Sequence, residues 1–159
     1  MSKHEIGRRG FVAGGVVTVA AGPAIAQSAA TVATVHLSPG CGCCRQYVEH
    51  LKRGRFIVRV EAHDDLAPLK LSARVPADLE ACHTTLVDGY TVEGHVPSAA
   101  IRRLLAERPK LRGVAVPGMP AGSPGMEGAT PETYTVFLFH DDDSRTPWMR
   151  FLGQTPVRA

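Results

Sequence analysis

In "LSPGCGCCRQYVEHL" three cysteines fall within four residues, at Cys41, Cys43 and Cys44, directly ahead of a helical pattern. No other stretch constrains the chain as much. Adjacent Cys43 and Cys44 would form a strained bridge, so locking all four cysteines of the chain into two structural disulfides is an awkward solution. A helix N-terminus also favours thiolate over thiol, because the positive end of the macrodipole lies there. Thiolate is both the nucleophile of disulfide exchange and the ligand of soft metals. Cys41 and Cys44, at C-x-x-C spacing, suit either chemistry.

The surrounding pattern places this motif in a fold. "TVATVHLS" (31–38) alternates and is β-branched, as a strand does, and Pro39-Gly40 breaks it. The periodicity predicts a helix over 43–53 with Tyr47, Val48 and Leu51 inward and Arg45, Glu49 and Lys52 outward, ended by Gly54. "RFIVRVEAH" reads as a second strand, and 66–73 as a short helix stopped at Val75-Pro76. "CHTTLVDGYTVEGHV" is a hairpin turning at Asp88-Gly89. Pro97 opens a helix through Arg108 with Ile101, Leu104 and Leu105 as its apolar stripe.

"GVAVPGMPAGSPGME" then reads as a Gly/Pro-rich loop of about fifteen residues, long enough to suggest work beyond connection. The tail gives a strand, an acidic turn at 141–144 and a last strand. The expected fold is therefore α/β, a single thioredoxin-like domain over 27–159 with a mixed sheet in the order β-α-β-α-β-β-α and a C-terminal strand pair. Its cysteine motif lies between the first strand and first helix, where thioredoxins carry theirs.

Residues 1–26 read as a leader: Arg8-Arg9, a weakly apolar run from Phe11, and Ala24-Ile25-Ala26 as an A-x-A cleavage site. The paired arginines indicate twin-arginine export, which carries folded proteins, so metal can be installed before crossing. The apolar run is too short and Gly-rich to span a bilayer, so no stable membrane span is expected after cleavage. The expected location is the periplasm. Lys3, Arg8, Arg9 and Glu5 account for +2 of the net charge of +3, leaving a mature chain near +1 with no basic stretch for nucleic acid.

Cys82 bears on the choice of chemistry. It lies at the start of the third strand, which in a thioredoxin fold faces the C-x-x-C turn. Redox thioredoxins place a cis-proline there, whereas the nearest proline here, Pro76, is six residues earlier. Cys41, Cys43, Cys44 and Cys82 then converge, and crowded thiolates select Cu(I), zinc or an iron–sulfur centre. A three-plus-one set suits zinc less well than paired knuckles do, and iron–sulfur spacing fits poorly. Bridging sulfurs suit several Cu(I) ions. The alternative is a thiol–disulfide oxidoreductase using Cys41 and Cys44.

Together, "CGCC", "ACHTTLVDGYTVEGHVP", "AAIRRLLAERP" and "GVAVPGMPAGSPGME" resemble the CopG-type copper-resistance proteins, a family first catalogued as a domain of unknown function. The match runs from about Thr34 to Glu127 and more weakly to the end. The resemblance implies a periplasmic, thioredoxin-like protein with a cysteine-bridged multi-copper centre, its ligands Cys41, Cys43, Cys44 and Cys82. It further implies interconversion of Cu(I) and Cu(II) alongside copper efflux or copper-carrier proteins. One departure is that few extra Met or His residues lie outside these blocks, so the chain shows no obvious copper-storage tail.

A second tier of candidates surrounds these. His83 follows Cys82, and strict strand alternation would turn it to the other face, in a structural role. His95 suits capping or packing before a ligand role. His50 is two turns along the first helix, too far for a direct bond and suited to packing. Met119 is balanced between a thioether ligand and apolar cover, and Met126 ranks below it. Asp141, Asp142 and Asp143 read as a solvated turn.

Overall fold

A computed structural model describes residues 31–158, so the leader assigned to 1–26 lies outside the described residues. The chain runs β1 (Val32–Leu37), α1 (Gly42–Arg53), β2 (Ile57–Ala62), α2 (Ala67–Ser72), a single 3-10 turn (Ala77–Leu79), β3 (His83–Val87), β4 (Tyr90–Gly94), α3 (Ser98–Glu107), β5 (Gly113–Val116), β6 (Thr133–Phe139), β7 (Arg145–Leu152) and β8 (Thr155–Val157). Eight strands form one mixed sheet in the order β2-β1-β3-β4-β5-β6-β7-β8. β1 pairs β2 in parallel, and so does β4 with β5; the other pairs are antiparallel.

The β3–β4 hairpin turns at Asp88-Gly89, with φ of 48° and 85°. Two consecutive positive φ values match the right-handed twist of the flanking strands, which is why Asp-Gly serves here. Along α1 the buried positions are Cys44, Tyr47, Val48, His50 and Leu51, one stripe facing the sheet. α3 lies beside α1, and His50 of α1 accepts the Ser98 backbone N–H at 2.9 Å. Ala33, Val35, Val92, Val114, Val116, Val136 and Phe151 form the sheet side of this core.

Two expectations are corrected. "GVAV" is not loop but β5, buried along its whole length. Val114 and Val116 join the main core and Ala115 joins Leu79 and Phe139 in a smaller cluster, so a strand buried on both faces shows no alternation. A Cβ at Gly113 would come within 1.9 Å of the Thr91 carbonyl oxygen, so only glycine admits β5 to the edge of β4. The C-terminal strand pair is also three strands, and β5 joins them to the rest. A register shift between Val136 and Phe137 sits opposite Pro147. Trp148, beside it, lies 5.2 Å from the Arg103 guanidinium and ties β7 to α3.

α2 covers the other face of the sheet. Its Lys70, buried at 6 % exposure, donates to Thr84 Oγ1 at 3.2 Å and to Glu93 Oε1. Glu93 Oε2 accepts from Thr84 Oγ1 at 2.6 Å, and Oε1 from the Ala81 N–H at 2.7 Å. A charged pair is thus held with its carboxylate satisfied on both oxygens.

Candidate metal centre

The first helix starts on a cysteine. Cys41 is the N-cap of α1, in extended backbone geometry, and its Sγ accepts the Cys44 N–H at 3.3 Å. Sulfur here does what a serine or aspartate oxygen ordinarily does at that position. Cys41 and Cys44 are joined as a disulfide with Cα atoms 5.3 Å apart. Cys43 is a free thiol, its Sγ 3.4 Å from Cys41 Sγ and 3.8 Å from Cys82 Sγ. All four sulfurs lie within 4.8 Å of one another.

Cys82 sits in the bend between the 3-10 turn and β3, one residue before the strand begins. Strand alternation therefore does not separate it from His83. His83 Nδ1 lies 3.3 Å from Cys82 Sγ, and His95 Nε2 lies 3.1 Å from the same sulfur. The reading that turned His83 away is corrected on that ground. His95 is likewise not a helix cap, since His50 serves the N-terminus of α3.

His95 is oriented by a contact that no sequence motif marks. Its Nδ1–H donates to the Pro124 carbonyl at 2.8 Å, which leaves the Nε2 lone pair aimed at Cys82. The neighbouring Gly125, at φ 89°, lies against α1: a Cβ there would meet the Cys43 carbonyl oxygen at 2.6 Å and Tyr47 N at 3.0 Å. The Gly/Pro loop thus clamps the first turn of the cysteine helix and sets the imidazole in one contact. Gly125→Ala is expected to destabilise the fold by about 1–3 kcal/mol, from the positive φ and the backbone clash together. Urea denaturation checks the stability, and an unchanged midpoint would contradict the clamp.

Burial pushes the Cys82 thiol up to about 12, and the neighbouring Cys43 adds to the rise. At neutral pH it is an S–H, and a soft cation taking its sulfur must displace that proton. Burial brings His83 down to about 3, with His95 and Lys70 pushing the same way, and burial also lowers His95. Both rings are neutral at neutral pH and offer lone pairs rather than charge. Tyr47 packs beside them, its ring tilted against His83 at 4.3 Å and edge-on to His95, and donates its hydroxyl to the Val96 carbonyl at 3.1 Å.

Sulfur and imidazole nitrogen make up this donor set, which suits soft or borderline metals and not hard oxygen-seeking cations. As a disulfide, Cys41 and Cys44 are not thiolates, so a four-thiolate set requires reduction by two electrons. Met119, at 55 % exposure, does not serve as buried cover. Met126, half-buried, has its backbone N–H tied to the Ser123 carbonyl within the loop. In the acidic turn, Asp142 Oδ1 accepts from Ser144 N and Oγ while Asp141 pairs with Arg112.

A family model described as "Protein of unknown function, DUF411" matches residues 79–126, the segment from the 3-10 turn to the clamping loop. Two solved structures of a "Copper resistance protein copG", in two forms, are similar to the chain. They are 37 % and 38 % identical, with TM-scores of 0.73 and 0.72. Each comparison covers 77 % of this chain and 98 % of the other. No curated protein matches significantly.

Proposed function

The chain belongs to the CopG-type copper-resistance family, and on that footing we propose that it binds copper, as Cu(I), through the thiolates of Cys41, Cys43, Cys44 and Cys82. The observation that carries this reading is the convergence of the four sulfurs within 4.8 Å, one of them from a segment 38 residues beyond Cys44. Sulfurs so close favour bridging, in which each thiolate serves two ions, so the site takes several Cu(I) ions rather than one. His95 is the added nitrogen ligand we favour, with His83 next to it. Zinc is the lesser fit.

A redox role accompanies the binding. The Cys41–Cys44 disulfide takes up two electrons and each Cu(I) gives one, so one disulfide balances two copper ions. Cu(I) and Cu(II) can thereby be interconverted for copper tolerance, with copper efflux or copper-carrier proteins as partners. The thioredoxin-like assignment for the N-terminal half is supported by the strand order β2-β1-β3-β4 with the cysteine turn after β1. Residues 1–26 are proposed to direct twin-arginine export to the periplasm. Among the described residues no helix is long and apolar enough to cross a membrane.

Protein purified from copper-fed cells should contain more than one copper per chain, with sulfur neighbours in its copper-edge X-ray absorption. One copper or none, or an oxygen-only shell, would overturn the reading. The observed Cys41–Cys44 disulfide also favours a second reading, thiol–disulfide exchange on other proteins. That reading requires metal-free protein to catalyse insulin reduction, lost in Cys41→Ser.

A further inference from the structure

The opposite face of the sheet carries a second group of metal-type ligands. In "EAH", Glu61 lies on β2 and His63 directly follows the last residue of that strand, its N–H still bonded to the Leu37 carbonyl at 2.9 Å. The parallel register places His36 of β1 beside Glu61. Thr84, the partner of His36 on β3, lies on the Lys70 side, whereas Leu37 pairs with His83 on the Tyr47 side. The three ligands are therefore separated from the cysteines by the thickness of the sheet.

His36 Nδ1 lies 3.0 Å from His63 Nε2 and 3.4 Å from Glu61 Oε2, and His63 Nε2 lies 4.0 Å from that oxygen. A point equidistant from the three atoms is about 2 Å from each, the bond length of zinc to imidazole nitrogen and carboxylate oxygen. The His36 side chain is 8 % exposed while Glu61 and His63 are 56 % and 34 % exposed, so the group is anchored on one side and open to water on the other.

We propose that His36, Glu61 and His63 form a second metal site, for a borderline divalent cation of the zinc or copper(II) type, with water completing its coordination. Two imidazoles and a carboxylate are harder donors than thiolates, so this face discriminates against Cu(I) and the thiolate pocket favours it. Ligation through Nδ1 puts the His36 proton on Nε2, which is enclosed without a hydrogen-bond partner. That holds the affinity below that of a triad with a satisfied second nitrogen.

Zinc titration with a competing chelator tests the site independently of the copper reading. The full chain carrying Cys43→Ser and Cys82→Ser, with Cys41–Cys44 kept oxidised, removes the free thiols. It should bind one Zn(II), and adding Glu61→Gln or His63→Ala should each weaken that binding at least about tenfold. Both positions are partly exposed, and unchanged thermal melting of the zinc-free chains will show that folding is intact. Absence of zinc binding, or unchanged affinity in either variant, overturns the site.

Discussion

Cys82→Ser is expected to cut Cu(I) affinity by at least about 100-fold, the upper end of what losing even an outer partner of a metal ligand costs. Its sulfur is the one member of the cluster that comes from outside the helix turn, 3.8 Å from Cys43 Sγ. It is also the atom that both imidazoles address, at 3.1 and 3.3 Å. A hydroxyl there keeps the volume nearly unchanged but is a poor ligand for Cu(I), so folding should be spared while copper per chain falls sharply. Competition with a Cu(I) chelator measures the first quantity and metal analysis the second. Loading unaffected by the substitution would sink the shared site. Insulin reduction surviving in Cys82→Ser but lost in Cys41→Ser would instead support the oxidoreductase.

Lys70→Met should destabilise the fold by about 3–5 kcal/mol at neutral pH, because it strands a carboxylate that is fully buried. Glu93 would keep the Ala81 N–H and the Thr84 hydroxyl but lose its counter-charge. Burial holds the Glu93 carboxyl above the usual glutamate value of 4.5, and Lys70 pulls it back down. Where the folded pKa exceeds the unfolded one, the native state binds the extra proton, so stability falls as pH rises from 4.5 towards the folded value. Without Lys70 the folded value climbs further and the fall extends to higher pH. The penalty should therefore be smallest near pH 4.5 and grow towards neutrality, as urea denaturation across that range will show. Lys70→Met with Glu93→Gln should recover most of the loss; no recovery would mean that packing rather than charge dominates.

Elements with a strong period were legible in the sequence. α1, α3 and the Asp88-Gly89 hairpin declare themselves through an apolar stripe or a turn that demands positive φ. β5 does not, because a four-residue strand buried on both faces looks like any apolar run. The sulfur cluster was legible because three of its members are local. His83 was misjudged because alternation was applied across the point where β3 begins, and the phase of a strand is undefined before its first residue. The contact between Pro124 and His95, and that of Lys70 with Glu93, depend on which segments lie side by side. Nothing in the spacing 95 to 124 or 70 to 93 marks them; His36 with Glu61 needed the β1–β2 register.

The centre draws on the 41–44 turn, the 82–83 bend, residue 95 and the loop at 124, and an unfolded chain keeps only the three local thiols. A soft ion in the full set binds the native chain in preference to the unfolded one. Such an ion raises the free energy of unfolding by mass action, by about 2.7 kcal/mol at a concentration 100 times its Kd. Proteases act on chains that open, so on the proposed copper reading the metal-free protein is expected to be digested faster than the loaded one. Copper supply would then set how long the folded chain persists, a link that digestion of copper-loaded and metal-free protein side by side will test.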